Sequence, residues 1–253
     1  MRALVISDIH GNLQALEAVL AAVGAVDQVW NLGDTVGYGA NPNEVIDMMR
    51  LVATVNVRGN HDRVCCGLTS SQGFNPVAAE AANWTHHMLT PENLQWLRDM
   101  PKGPVPATER AMCAHGSPLH EDHYIVSMRD AWTPLQRMQS EITFIGHTHL
   151  QGGFSQREAE WEEERPQYDE QDVAEQVTIH VPPGTRHLIN PGSVGQPRDS
   201  DWRAAFAIYD DGVEQITFYR IPYDVAAAQA AIRAAKLPER LAARLHRRGC
   251  DRT

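Results

Sequence analysis

Five short blocks of the sequence combine carboxylates, histidines and glycines. They are Asp8-Ile9-His10, Gly33-Asp34, Gly59-Asn60-His61-Asp62, His115-Gly116 and Gly146-His147-Thr148-His149. Carboxylate and imidazole groups suit borderline divalent ions such as zinc, manganese, iron and cobalt. Two such ions about 3.5–4 Å apart can stabilise both the attacking and the leaving oxygen of a phosphate displacement. Each block alone could be an ordinary turn, cap or packed histidine. Their joint occurrence favours a metal centre.

Each block follows a short apolar run that is typical of a buried β-strand. These runs span residues 3–7, 27–32, 54–57, 111–114 and 142–145. Helical periodicity separates the first three runs, over residues 13–23 and 41–51, and Pro42 suits a first helical turn. This alternation predicts parallel strands in an α/β fold. Because loops after the carboxyl ends of such strands meet at one edge, we expect the five blocks to converge.

The rest of the chain predicts further helices and strands. Helices are expected at residues 77–88, from Thr90 to Pro101 and at 224–235, and strands at 177–181, 187–189, 204–209 and 213–219. Asp210-Asp211-Gly212 is typical of a hairpin turn between the last two strands. Residues 156–175 are dense in acids and predict a solvated loop or surface hairpin insertion, and the tail from about residue 238 is basic.

Composition restricts the function classes. The chain has 253 residues, is 43% hydrophobic and carries a formal net charge of −10, which argues against nucleic-acid binding through a basic face. No stretch is apolar for long enough to cross a bilayer, so we expect no membrane partner. The first residues lack a signal-peptide layout and the four cysteines form no Cys-x-x-Cys motif. A cytoplasmic protein with reduced thiols is the expectation.

Taken in order, the five blocks resemble the calcineurin-like metallophosphoesterase family. The signature of that family is Asp-x-His, Gly-Asp, Gly-Asn-His-Asp/Glu, a lone His-Gly and Gly-His-x-His. The flanking chain is similar to the small bacterial phosphodiesterase branch of the family, in the segments Gly11-Asn12, Gly37-Tyr38-Gly39, Asn43-Glu44-Val45 and Asn190-Pro191-Gly192-Ser193. The resemblance implies a single domain over residues 1–253 with an α/β fold, a two-sheet β-sandwich flanked by helices.

The resemblance also implies the ligands of two divalent ions. The first ion would be held by Asp8, His10 and His149, and the second by Asn60, His115 and His147. Asp34 would bridge the two. Manganese, iron, zinc, nickel or cobalt all suit these ligands, and manganese is the expected activating ion.

The reaction implied is hydrolysis of a phosphodiester or phosphomonoester by in-line attack of a metal-bound hydroxide, with the diester favoured. His61 would donate a proton or stabilise charge at the reacting oxygens, and Asp62 would orient His61. The substrate would be a small phosphate ester or a nucleotide-like molecule. The sequence leaves the oligomeric state open.

Three further residues are candidates for substrate contact. Arg58 precedes the Gly-Asn-His-Asp block, where related phosphatases place an arginine against phosphate; a surface salt bridge is an equal alternative. Asn12 is close to the first block, although it is also a natural helix cap before Leu13. Arg198 could line the cleft, with a solvated loop charge as the alternative.

Other functions on the same fold remain open at this point. A non-catalytic scaffold is one, but the scaffold precedent has an incomplete set of ligands, whereas all seven stand in this sequence. A dinucleoside polyphosphate hydrolase is another, since that class shares the blocks. A nuclease is less favoured because such enzymes carry added basic surface.

Overall fold

Two six-stranded mixed sheets pack face to face in the computed structural model, which describes residues 1–246. The first sheet has the order β3-β2-β1-β11-β12-β9, with β1 at Arg2–Ile6, β2 at Gln28–Asn31, β3 at Val55–Asn56, β9 at Glu175–His180, β11 at Ala204–Asp210 and β12 at Gln215–Ile221. The second has the order β4-β5-β6-β10-β7-β8, with β4 at Val105–Pro106, β5 at Ala111–Cys113, β6 at Ile142–Phe144, β7 at Gly152–Arg157, β8 at Glu160–Glu164 and β10 at Arg186–Asn190.

The parallel strands lie together within each sheet. In the first sheet β1 pairs in parallel with β2, and β2 with β3. In the second, β6 pairs in parallel with both β5 and β10. The carboxyl ends of these strands therefore point to one edge of the sandwich, as the block order predicts.

Alternate side chains along β1 point to opposite faces of the first sheet, and both faces are buried. Ala3 and Val5 face the second sheet and join the core between the sheets with Trp30 and Phe144. Leu4 lies on the opposite face, in a separate cluster with the outer helices. Because successive strand residues point to opposite faces, an apolar residue at every position indicates a sheet covered on both sides.

Helices supply that cover. They are α1 (Leu13–Ala22), α2 (Pro42–Val52), α3 (Asn60–Cys65), α4 (Pro76–Met88), α5 (Pro91–Asp99), α6 (Met128–Arg137), α7 (Val225–Ala234) and α8 (Glu239–Arg244). Leu16 and Val19 of α1 pack on the outer face of the first sheet. Ala131 and Leu135 of α6 pack on the outer face of the second, against Phe154. The predicted two-sheet α/β sandwich flanked by helices is confirmed. No helix within residues 1–246 combines the length and apolar character that a bilayer span needs.

The largest departures from the predicted elements are α3 and α6. The sequence indicated a turn at α3, because Asn60, His61 and Asp62 read as turn residues. Helix α6 contains Pro134, which lacks a backbone donor and is unfavourable inside a helix. A reciprocal hydrogen-bond pair between Ser127 and Asp130 starts this helix all the same.

The acidic segment is ordered in part by the second sheet. It begins in the hairpin of β7 and β8. Beyond the hairpin, the Tyr168 hydroxyl donates to Gln151 Oε1 at 2.7 Å. The start of the basic tail forms α8. The remainder of that tail, residues 247–253 with Arg247 and Arg248, lies outside the described residues.

Candidate metal centre

All seven predicted ligands lie at one edge of the sandwich, two to five residues after the end of a strand. Asp8 and His10 follow β1, and Asp34 follows β2. The remaining ligands follow the shorter strands: Asn60 comes after β3, His115 after β5, and His147 and His149 after β6. The parallel arrangement within each sheet is therefore what brings these distant blocks together.

The ligand atoms form two buried groups that share one residue. Asp8, His10, Asp34 and His149 make the first group, and Asp34, His115 and His147 make the second; within each group the ligand atoms lie within 4.8 Å of one another. Asp34 Oδ2 is 3.7 Å from His10 Nε2 and 3.5 Å from His115 Nε2. One carboxylate oxygen thus faces both groups.

The ring nitrogens of the first group fit a cation. His10 Nδ1 lies 3.1 Å from the Val36 carbonyl and His149 Nδ1 lies 2.6 Å from the Gln196 carbonyl. A carbonyl only accepts, so each Nδ1 carries the proton and each Nε2 of a neutral ring carries a lone pair. These two Nε2 atoms face each other at 3.1 Å. Two lone pairs at that distance repel unless a positive charge lies beside them.

The second group repeats the arrangement. His115 Nδ1 lies 2.9 Å from the Leu32 carbonyl, which leaves its Nε2 free to ligate. That Nε2 lies 3.1 Å from His147 Nδ1 and 3.2 Å from Asn60 Oδ1. Asp8 Oδ1 is buried with no hydrogen-bond partner among the described residues, as is His147 Nε2. The donor set of imidazole, carboxylate and amide oxygen suits a divalent ion.

Burial dominates the protonation of the histidines. It holds the pKa of His10 and His149 well below the ordinary value and lowers the pKa of His147 to about 3. His115 differs: burial opposes its charge, but the neighbouring Asp34 and Asp8 raise its pKa to about 9. Neutral imidazole is the form that ligates a metal.

The carboxylates of the site are affected in opposite directions. Burial raises the pKa of Asp8 to about 7. Burial also opposes the charge of Asp34, yet the surrounding histidines, His115 first, hold its pKa well below the ordinary range. Asp34 is therefore the stronger anion of the two and the natural partner for positive charge.

His61 lies against the site from the first turn of α3. Its backbone N–H donates to Asp34 Oδ1 at 2.8 Å, and its ring is 4.8 Å from the His10 ring. The ring packs between Tyr38 and Phe74, each 4.5 Å away, and its Nδ1 has no partner among the described residues. Burial lowers the pKa of His61 to about 4.

The Asp62 carboxylate contacts backbone N–H groups on two segments of the chain. Its Oδ2 accepts from the Gly59 N–H at 2.9 Å and its Oδ1 from the Val36 N–H at 3.2 Å. Both contacts are with backbone N–H groups, not with the His61 ring. Asp62 caps α3 and ties it to the segment after β2, so it positions His61 through the backbone.

Close backbone approach shapes the site. At Gly59, a Cβ atom would lie 2.0 Å from Asp34 Oδ1, so a glycine is required there. Five ligands hold a left-handed backbone, with φ between 51° and 68°: Asp8, His10, Asp34, His147 and His149. L-residues seldom adopt this conformation, which here turns each side chain into the cluster.

The three predicted substrate contacts have different surroundings. Arg58 Nε lies 3.3 Å from Glu121 Oε2, as in the salt-bridge alternative. Asn12 caps α1 by accepting from Ala15 N–H and donates to the Gly195 carbonyl at 2.9 Å, so its polar atoms serve the fold. Arg198 is exposed, and its charge contributes to the lowered pKa of the buried His149. Of the two arginines, Arg198 is thus the one without a carboxylate partner among the described residues.

Sequence reasoning missed the aromatic residues beside the site. The Tyr124 ring lies 3.9 Å from the His147 ring, and Phe74 packs on His61. Both residues stand in loops between the blocks, with no motif around them. A tyrosine a few residues after His115 was the only signal.

The fold and this ligand cluster together define a metallophosphoesterase. The chain belongs to the calcineurin-like phosphoesterase superfamily, whose domain pattern matches residues 1–211. It is similar to a metallophosphoesterase from Sphaerobacter thermophilus, with 41% identity, a TM-score of 0.83, and 97% of this chain and 98% of that one covered. An uncharacterized protein of Methanocaldococcus jannaschii is 34% identical over 95% of this chain and 96% of its own length.

A more distant relative is a protein that is named for its enzymatic activity. The symmetrical bis(5'-nucleosyl)-tetraphosphatase of Erwinia tasmaniensis is 28% identical over 120 residues, which are 46% of this chain and 44% of that protein. A hypothetical protein from Pyrococcus horikoshii OT3 shares the fold at 19% identity, with a TM-score of 0.74 and 98% of each chain covered.

Proposed function

We propose that this protein is a cytoplasmic, dinuclear metal-dependent phosphoesterase that prefers phosphodiesters to phosphomonoesters. The observation that carries the proposal is Asp34 Oδ2, which lies 3.7 Å from His10 Nε2 and 3.5 Å from His115 Nε2. A carboxylate oxygen between two groups of imidazoles is suited to bridge two cations. Two ions side by side are the arrangement used for in-line phosphate displacement.

The assignment of the ligands follows the two groups. Asp8, His10 and His149 hold the first ion, and Asn60, His115 and His147 hold the second. When bound, two divalent ions, manganese in the active form, supply the positive charge that polarises the phosphate and lowers the pKa of the attacking water. The carbonyls of Val36, Leu32 and Gln196 fix the rings so that the ligating nitrogens already point inward.

The other residues act on the substrate. His61 borders Asp34 and His10, and burial keeps its ring neutral, so we infer that its ring N–H donates a hydrogen bond to the oxygen on which charge develops. Arg198 is placed to attract the phosphate to the cluster before the reaction. Arg58 can contact the phosphate only if its guanidinium leaves Glu121, since Arg58 Nε lies 3.3 Å from Glu121 Oε2. Asp62 and Asn12 hold the backbone on which these groups stand.

A second candidate is hydrolysis of dinucleoside polyphosphates. The observation that favours it is the similarity to the Erwinia tetraphosphatase, which covers less than half of either chain. Both activities use the same metal centre, so the length of the phosphate chain that the cleft admits separates them.

The test is hydrolysis by chelator-stripped protein after each divalent metal is added back. The substrates are a generic aryl phosphodiester and the matching aryl phosphomonoester, and bound metal is counted in parallel. We expect two ions per chain, activity restored best by manganese, and faster cleavage of the diester. His87→Asn, an exposed histidine outside the cluster, is the matched control and retains full activity. Protein that binds no metal would contradict the proposal and favour a scaffold.

A further inference from the structure

A cleft of about 560 Å³ opens beside the second ligand group. Asn60, His61 and His147 form the part of its lining that belongs to the metal centre. Its volume lies in the range of pockets that enclose a small organic molecule. A phosphate held at the metal centre would therefore direct one of its ester groups into this cleft.

Aromatic rings line the cleft next to the ligand histidines. Tyr124 lies over His147, with ring centroids 3.9 Å apart and an angle of 34° between the planes, and it is 47% exposed. Phe74 and Tyr38 line the same cleft and pack on His61. An exposed tyrosine face beside a polar centre is available for stacking on a flat ring.

The charges of the cleft are already paired. Arg63 is the only cationic side chain that lines it among the described residues. Its Nη1 lies 2.9 Å from Glu121 Oε1 and its Nη2 lies 2.6 Å from Asp122 Oδ1. Asp122 also lines the cleft and is partly exposed, so the one cation of the described lining is already paired with carboxylates before a second phosphate group could reach it.

The same ion pairs fix the aromatic wall. Arg63 stands on α3 one turn after Asn60, and Glu121 and Asp122 precede Tyr124 in the loop that follows His115. Arg63 thus fastens the loop that carries Tyr124 to the helix that carries His61. A ring held in place loses little conformational entropy on binding, which favours stacking.

We propose that this cleft binds a planar, uncharged aromatic group, such as a nucleobase or an aryl ring, joined to a single phosphate at the metal centre. The inference rests on the proposed function and names its substrate class: phosphate esters of nucleosides or aryl alcohols with one phosphate. Because Arg63 is paired, the described lining offers no unpaired cation for a longer phosphate chain, which favours a single phosphate.

The experiment measures binding by calorimetry to the manganese-loaded full-length chain. The probes are adenosine 5'-monophosphate, ribose 5-phosphate and inorganic phosphate, which separate the ring from the sugar and from the anion. We expect the nucleotide to bind about tenfold more tightly than ribose 5-phosphate, because stacking of one base contributes on that scale. Adenosine triphosphate should gain nothing over the monophosphate.

Variants of Tyr124 locate the effect. Tyr124→Leu keeps an apolar side chain without the ring and should bring the nucleotide to the affinity of ribose 5-phosphate, with inorganic phosphate unchanged. Tyr124→Phe keeps the ring and should retain the difference. If Tyr124→Leu loses its metal or does not fold, Phe74→Leu tests the aromatic wall instead, and it should also reduce the difference in affinity between the nucleotide and ribose 5-phosphate.

Each outcome distinguishes the inference from the function on which it rests. Equal affinities for the nucleotide and ribose 5-phosphate, with phosphate still bound, overturn the aromatic subsite alone. Tighter binding of the triphosphate overturns the single-phosphate restriction and favours polyphosphate substrates. Failure of inorganic phosphate to bind, together with no hydrolysis of the aryl esters, overturns the proposed function itself.

Discussion

At the scale of single residues, the two oxygens of Asp34 have separate partners. Oδ1 accepts from the His61 N–H at 2.8 Å, and Oδ2 faces His10 and His115. The hydrogen bond fixes the carboxylate plane, so that the second oxygen is held between the two ligand groups. The charge of Asp34 therefore matters to both groups at once.

Replacing Asp34 by asparagine tests this shared position. Asp34→Asn keeps the shape of the side chain but removes the anion, so we expect both ions to be lost and turnover to be nearly abolished. Loss of a group that merely orients a ligand weakens metal binding roughly 10–100-fold, and loss of the bridge should exceed that. Metal analysis of the dialysed variant measures the effect. Unchanged occupancy would contradict a bridging role.

His61 should behave differently, because it contacts the cluster without belonging to either ligand group. We expect His61→Ala to keep its metal and to lose about 10²–10³-fold in kcat, the scale for loss of one hydrogen-bond donor to developing charge. Metal content and single-turnover rates measured on the same preparation separate the two effects. His87→Asn serves as the control, and metal loss in His61→Ala would assign the residue to the metal site instead.

The sequence could predict which side chains cluster at this edge because their chemistry repeats in five blocks. It could not predict partners that depend on distant chain segments. Asp62 is next to His61 in sequence, yet its carboxylate accepts from Gly59 and Val36. Arg58 and Glu121 are 63 residues apart and meet through the loop after β5. Tyr124 carries no motif, so only the fold shows that it covers His147.

At the scale of elements, helix α3 connects the two halves of the site. It begins at Asn60, and the preceding Gly59 lies against Asp34 after β2. The contact brings the ends of β2 and β3 to the distance that the ligands need. A side chain at this junction would separate the two elements.

Gly59→Ala tests the junction. The φ of Gly59 is −95°, which alanine adopts freely, but its Cβ would lie 2.0 Å from Asp34 Oδ1 and 2.4 Å from the Asp34 backbone nitrogen. We expect weaker metal binding and a lower melting temperature. Gly24→Ala is the matched control, since its Cβ meets nothing within 4 Å. Thermal denaturation with and without manganese gives the melting temperatures of the two variants. Equal melting temperatures would show that Asp34 and Gly59 can move apart to accommodate the methyl group.

The regular elements with strong periodicity were predictable, and the interrupted ones were not. Strands β1 and β11 have apolar residues on both faces of the first sheet, and α1 has an apolar stripe that packs on the outer face of that sheet. Helix α6 contains Pro134 and depends on its first-turn hydrogen bonds and on packing against β7. Strand β8 is almost entirely acidic, and its pairing with β7 makes it a strand. Such tertiary contacts override local preference.

At the scale of the whole molecule, Arg203 joins the acidic segment to the first sheet. Its guanidinium is fully buried and pairs with Asp201 at 2.7 Å and with Glu175 at 2.8 Å. It also lies over the Tyr168 ring, 5.3 Å from the centroid. The segment beyond β8 is therefore packed against the sandwich by the buried Arg203 as well as by the hydrogen bond from Tyr168 to Gln151.

Removal of that charge should destabilise the fold. Arg203→Met leaves Asp201 and Glu175 without their partner, and breaking a buried pair from one side costs about 3–5 kcal/mol. Urea denaturation measures the free energy of unfolding. Arg233→Met, which removes the exposed pair with Glu239, should leave the midpoint unchanged. Equal effects of the two variants would mean that the burial of Arg203 contributes little.

The left-handed backbone of five predicted ligands lowers the stability of the fold, and this affects how such a chain would evolve. Each of these residues stores about 1 kcal/mol or more of backbone strain, so the set consumes several kcal/mol. That is comparable with the whole net stability of a typical domain. A lineage released from selection for the reaction would gain stability from nearly any relaxing substitution there. The catalytic edge is thus the part of this fold that evolution would erode first, while the sandwich beneath it persisted.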